Sequence, residues 1–310
     1  MKAIRLHARG GPEAFAYEDA PEPRPNNAEV LVRVCAAAVT PTELLWPPTW
    51  VASTGEPRFP VILGHEFSGI IAAVGDGVTD VAVRSPVYGV NDWFGNGALA
   101  EYCVARAAEV APKPRSVDHL AAAVTPISAL TAWQGLIERA RLTGGERVLV
   151  HGAAGAVGSF AVQLARWRGA TVFGTASPHN TAFVRGLGAD TVIDYRAVRF
   201  EEVAREMDVV FDTVGGDTLD RSWGVLKPGG RLVTIAASVE GTSDAREREA
   251  FFIVRPDREQ LTEIGRLIDA GHLRPVVDRV FPLAQARQAF EHKPARGKVV
   301  LSVADGEDAR

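Results

Sequence analysis

The segment that most constrains the fold is His151-Gly152-Ala153-Ala154-Gly155-Ala156-Val157-Gly158. It stands between the apolar run Arg147-Val148-Leu149-Val150 and a stretch of helical period from Val157 to Trp167. A buried strand that turns into a helix through spaced glycines is the setting of a dinucleotide-binding turn. Gly152 permits the tight turn, Gly155 lets backbone N–H groups approach a pyrophosphate, and Gly158 lets the helix pack close to the sheet. The helix N-terminus adds partial positive charge and unpaired donors. Ala153-Ala154 displaces the middle glycine, so the spelling is GxxGxxG rather than GxGxxG.

The surrounding pattern extends this unit. Helical spacing from Ser128 to Leu142 precedes the first strand. Strands are expected at 170–175, 191–194, 207–212 and 231–235, with helices at 181–187 and 218–226 between them. Such alternation implies right-handed crossovers and an α/β, doubly wound parallel sheet. The first roughly 115 residues are instead β-rich, with short β-branched runs between Gly, Pro and Asp turns. Glu29-Val30-Leu31-Val32-Arg33-Val34 is one such run. After Pro256, one helix (259–270) and two short strands are expected to return to that first lobe. The expected division is residues 1–120 and 257–310 for a substrate domain and 121–256 for a nucleotide domain.

Composition excludes several classes. The formal net charge of -4 gives no global attraction to nucleic acid or anionic lipid. No run reaches the roughly 18 apolar residues that crossing a membrane needs. Two cysteines, Cys35 and Cys103, rule out a disulfide framework and any site of three or four thiolates. The N-terminus reads directly into a strand, and a cytoplasmic location is expected.

The end of the second strand bears on the nucleotide. An NAD site places an acid there, bonded to the ribose 2′-hydroxyl. Gly174-Thr175-Ala176-Ser177 has none before Asp190, and Ser177, His179 and Asn180 offer hydrogen bonds to a 2′-phosphate. NADPH is therefore the expected cofactor. No Arg or Lys stands in that turn, and Arg185 is the nearest.

Further stretches carry a resemblance to a known family. These are Leu63-Gly64-His65-Glu66-Phe67-Ser68-Gly69, Leu130-Thr131-Ala132-Trp133, Gly188-Ala189-Asp190-Thr191-Val192-Ile193-Asp194-Tyr195, Leu226-Lys227-Pro228-Gly229-Gly230-Arg231 and Gly297-Lys298-Val299-Val300-Leu301. With the glycine turn, they resemble the medium-chain dehydrogenase/reductase superfamily, in particular its zinc-free quinone oxidoreductase branch, along nearly the whole chain. The resemblance implies a GroES-like β-barrel substrate domain, a Rossmann domain, a cofactor in the cleft between them, and a homodimer. It places Ala154, Gly155, Ala156 and Val157 at the pyrophosphate, and Ser177 and Tyr195 near the adenosine ribose. Thr234, Ile235, Ala236, Ala237, Ile253 and Val254 fall on the nicotinamide side, and Lys298 also falls at the cofactor. Zinc members of the family carry a cysteine in the loop matching 39–43 and another before the Rossmann domain. Here those segments read Val39-Thr40-Pro41-Thr42-Glu43 and Thr125-Pro126-Ile127-Ser128. His65 with Glu66 cannot complete three protein ligands, so no metal is expected.

Two aromatic loops, Trp46-Pro47-Pro48-Thr49-Trp50 and Asn91-Asp92-Trp93-Phe94-Gly95, offer an apolar wall for a small conjugated substrate. Trp46, Trp50, Trp93 and Phe94 are the pocket candidates. Thr40, Thr131 and Tyr88 are the candidate donors to a substrate oxygen. The expected activity is hydride transfer from NADPH to a quinone or an activated C=C bond, with the cofactor carrying the chemistry. Two alternatives stay open: an enoyl reductase tailoring a polyketide-like intermediate, and a non-enzymatic NADPH-binding protein.

Overall fold

A computed structural model describes residues 1–236 and 244–303. Two sheets organise it. The first is a seven-stranded sheet built around the longest strand, Glu29–Ala38. That strand pairs antiparallel with Glu66–Val74, Tyr102–Arg106 and Lys298–Ser302. Its near-continuous apolar sequence suits a strand covered on both faces, and most of its residues are buried. Lys2–Leu6, Ala16–Asp19 and Val61–Ile62 form a small sheet whose apolar residues join the same core.

The second sheet has five strands, all parallel. Their order is Thr191–Asp194, Thr171–Ala176, Arg147–Val150, Met207–Asp212, Leu226–Thr234. The chain builds outward from Arg147–Val150 on one side, then crosses to begin the other side at Met207. That reversal opens a crevice at the C-terminal end of Arg147–Val150, where doubly wound sheets bind ligands. Helix Ala156–Trp167 leaves this strand and buries Phe160, Ala161, Leu164 and Ala165. The helix before the strand is regular only over Pro126–Trp133 and continues to Arg139 as a wider π-type turn.

The C-terminal segment adds its two strands to the first sheet. Arg258–Asp269 is capped by Asp257, whose carboxylate accepts from the Gln260 N–H. Strands Val277–Pro282 and Lys298–Ser302 are parallel neighbours, joined through a short helix, Ala286–Glu291, that periodicity does not reveal. A further short helix, Ala245–Ala250, was likewise not expected. Where the lobes meet, the Gly297 N–H donates to the Ala154 carbonyl at 2.9 Å. The Ile127 N–H donates to Glu66 Oε2 at 3.0 Å. Among the described residues, no helix is long and apolar enough to cross a membrane.

Candidate functional site

The three glycines of the turn have three different reasons. Gly152 sits at φ 69°, in the left-handed region, and a Cβ there would meet Thr213 Oγ1 at 2.4 Å. A Cβ on Gly158 would lie 2.1 Å from the Gly152 carbonyl oxygen, so no other residue fits. Gly155 is extended at φ -74°, is exposed, and would meet only the Gly152 oxygen at 3.3 Å. A side chain at Gly155 meets one tight contact with a backbone oxygen, far less than at Gly152 or Gly158. Gly155 caps the following helix with no side-chain bond to its first N–H groups, leaving donors for an anion. Ala154 is buried beside this seat, and Ala156 and Val157 are half-exposed.

At the end of Thr171–Ala176, Ser177 is buried, His179 is exposed, and His179 Nε2 lies 3.3 Å from Ser177 Oγ. Asn180 departs from expectation. Its amide is spent within the protein: Nδ2 donates to the Ala295 carbonyl at 2.9 Å and to Ser177 Oγ at 3.3 Å, while Oδ1 accepts from Arg296 Nε at 2.8 Å. Asn180 therefore anchors the C-terminal segment and has no donor left for a phosphate. Tyr195 is 55% exposed on the neighbouring strand end, where Ala176 pairs with Asp194.

On the opposite side of the crevice, Thr234 is fully buried and its hydroxyl donates to Asp212 Oδ2 at 2.8 Å. A parallel bridge between Thr234 and Phe251, with the Phe252 N–H donating to the Thr234 carbonyl, joins the end of strand Leu226–Thr234 to the segment that leads into Ile253 and Val254. Ile253 is 75% exposed, while Val254 packs on the core. Ala237 lies outside the described residues.

The substrate side revises several expectations. Tyr88 is fully buried and donates to the Leu261 carbonyl, joining the first sheet to helix Arg258–Asp269; burial pushes its phenol pKa up. It is a structural residue and no donor to substrate. Thr131 donates to the Ile127 carbonyl at 2.6 Å inside its own helix. Thr40 Oγ1 points to Glu66 Oε1 at 3.4 Å. Lys298 is buried in an ion pair with Glu66, which removes it as a free cofactor contact. Trp50 is core, its indole N–H donating to the Leu44 carbonyl, and Phe94 is exposed away from this packing. Trp46 and Trp93 do meet, edge to face, with centroids 5.4 Å apart.

What they enclose was not foreseen. His65 is 1% exposed, 6.4 Å from the Trp46 ring and 5.5 Å from the Trp93 ring. Its Nδ1 lies 3.1 Å from Glu43 Oε2, and its Nε2 has no partner. Glu43 also accepts the backbone N–H groups of Gly64 and His65. Burial would raise the Glu43 pKa, but the adjoining His65 and these bonds bring it below the usual carboxylate range. Glu43 is thus an ionised acceptor, Nδ1 donates to it, and Nε2 is left buried without a partner beside the two indoles. An acid in the Thr40-Pro41-Thr42-Glu43 run, amid apolar residues, was the available signal.

Two family models match the chain: an alcohol dehydrogenase GroES-like domain over residues 26–115, and a zinc-binding dehydrogenase over residues 187–301. The NADPH-dependent alkenal/one oxidoreductase of Arabidopsis thaliana chloroplasts is 31% identical, covering 97% of this chain and 79% of its own. The chain belongs to the medium-chain dehydrogenase/reductase superfamily. It is an oxidoreductase of that superfamily, with its GroES-like domain and parallel-sheet Rossmann domain. The quinone oxidoreductase structure from Coxiella burnetii superposes with a TM-score of 0.87 at 30% identity, over 98% of this chain and 99% of that one. A polyketide synthase of Streptomyces halstedii is 38% identical over 79% of this chain, which corresponds to 5% of the synthase.

One matching model is named for zinc, and the residues here do not fit that metal. The 39–43 loop and the 125–128 segment carry no thiol, and Glu66 is engaged by Lys298 and the Ile127 N–H. Among the described residues, no group of three or more His, Cys, Asp or Glu could hold a metal ion. Cys35 and Cys103 are buried in strands of the first sheet, and burial drives the Cys103 thiol pKa up, away from the thiolate a metal needs.

Proposed function

We propose that this medium-chain reductase is zinc-independent and uses NADPH to reduce a quinone or an activated C=C bond. The observation that carries the reading is the buried, unpartnered Nε2 of His65, whose ring packs beside Trp46 and Trp93. NADPH, when bound, supplies the hydride. The two half-buried indoles form the wall for a flat conjugated acceptor beside His65. With Nδ1 held by Glu43, Nε2 is the atom of His65 left to act on the acceptor oxygen. A proton carried on Nε2 passes to that oxygen as negative charge builds there, breaking N–H and forming O–H, and solvent later restores it. Thr40, Thr131 and Tyr88 are thereby replaced as donors.

The names of relatives support the substrate class, and the polyketide synthase match favours a second reading, an enoyl reductase on a thioester. A homodimer, implied by the family resemblance, and a cytoplasmic location belong to the proposal. Light scattering checks the first.

The deciding experiment measures NADPH consumption over quinones, enones and enoyl thioesters, with and without chelator, beside elemental analysis. Turnover of quinones or enones, unaffected by chelator in zinc-free protein, is expected. Turnover confined to thioesters selects the second reading. NADPH binding with no turnover anywhere leaves a non-enzymatic binder. One zinc per chain, with activity lost on chelation, overturns zinc independence.

A further inference from the structure

Strand Thr171–Ala176 ends in a turn with no Arg or Lys, yet a cation stands against it from the far end of the chain. Arg296 Nε donates to Asn180 Oδ1 at 2.8 Å, and its Nη2 lies 3.4 Å from the His179 carbonyl. Its guanidinium stacks 4.8 Å over the Phe183 ring. Asn180 is 4% exposed and returns a bond to the Ala295 carbonyl, so one buried amide grips residues 295 and 296 together. One residue further, the Gly297 N–H bonds Ala154, and Gly297 bridges Gly155 in the glycine turn. Asp278 holds the same segment through the Ala295 and Arg296 backbone N–H groups, while its other oxygen engages His292. Among the described residues the Arg296 guanidinium makes no ion pair.

A guanidinium has five N–H donors. Here Nε–H and one Nη2–H are used, and the remaining three are unspent. A nucleotide seated on the glycine turn places its adenosine ribose at the end of the second strand. That end is the Ser177–Asn180 turn on which Arg296 lies. We propose that Arg296, supplied by the C-terminal segment, is the cation that selects the 2′-phosphate of NADPH, with Asn180 as its positioning residue. The planar fork suits bidentate binding of a phosphate and stays charged at every working pH. This rests on the reading that the protein binds NADPH.

The test is nucleotide binding by tryptophan fluorescence, with NADPH, NADH and adenosine 2′,5′-bisphosphate as probes, on wild type, Arg296→Ala, Arg296→Lys and Asn180→Ala. Arg296→Ala should weaken NADPH and the bisphosphate by about ten- to a hundredfold, as loss of a charge-assisted contact does, and leave NADH within about twofold. Arg296→Lys should retain part of the preference. Asn180→Ala should lower the NADPH-to-NADH ratio, a readout that a merely structural role would not move. Wild type that prefers NADPH, with Arg296→Ala unchanged or weakened equally for both nucleotides, overturns this proposal alone. Wild type that binds neither nucleotide overturns the cofactor reading beneath it as well.

Discussion

The glycine turn at 152–158 keeps its backbone donors uncovered, whereas the nook around His65 is sealed by side chains. At Gly155 nothing but one carbonyl oxygen approaches the position of a Cβ. In the nook, buried Glu43 holds the His65 ring and two backbone N–H groups, and Glu66, the next residue after His65, is buried in a separate ion pair with Lys298. The first region binds by leaving space. The second acts through polar groups held out of water, where each interaction is strong and a lone unpaired atom is costly. A backbone site tolerates many sequences that supply glycine at the right positions. A side-chain site needs every partner, and removing one leaves a buried charge exposed to nothing.

Three experiments break or sharpen that contrast. The largest effect is expected in the nook. His65→Asn keeps an amide facing Glu43 but removes Nε2, and kcat should fall about a hundredfold or more, the range of lost acid catalysis. NADPH affinity should not move. Equal kcat in a folded variant would remove His65 from the reaction.

The glycine pair divides fold from ligand. Gly158→Ala places a Cβ 2.1 Å from the Gly152 oxygen. It should cost at least about 3 kcal/mol in denaturant unfolding, as a backbone clash in a core does. Gly155→Val should cost only about 1 kcal/mol of stability, yet weaken NADPH about a hundredfold by filling the phosphate seat. A calorimetric titration showing unchanged NADPH affinity in folded Gly155→Val would move the nucleotide elsewhere.

The smallest effect concerns His151, just before the turn. It is buried between Thr175 Oγ1 and Ser222 Oγ, and burial brings its pKa down to about 4, an effect Asp212 partly opposes. In the unfolded chain an imidazole takes a proton near about pH 6.5, so between these values only the unfolded state is protonated. The stabilisation is complete above about pH 6.5 and is lost as pH falls toward 4. From pH 7.5 to 5 this residue should account for about 2 kcal/mol of lost stability. His151→Gln should flatten the difference in urea midpoints between those two pH values. An unchanged pH dependence would show that His151 does not govern it.

Much of the nucleotide half was legible because its determinants are local. Gly152, Gly155 and Gly158 lie within one turn, and the runs Arg147–Val150 and Met207–Asp212 are too apolar to be anything but covered strands. Local pattern also misled at its edges: a neutral Asn180 beside an empty strand end reads as a phosphate contact until its partner in space is known. Thr40, Thr131 and Tyr88 read in sequence as free hydroxyl donors, and nothing in the neighbouring residues shows that each is already bonded within the protein.

By itself, then, the sequence determined the parallel sheet, the glycine turn, the return of the C-terminal strands and the lack of a thiolate set, because period, glycine spacing and residue type are properties of short stretches. Tertiary structure alone decided which polar groups meet. Lys298 reaches Glu66 across 232 positions, Arg296 reaches Asn180 across 116, and Glu43 reaches His65 across 22. Each pairing joins stretches that are distant in sequence, only the one between Arg296 and Asn180 crosses from one lobe to the other, and a buried charge shows its role only when the partner that keeps it buried is in place.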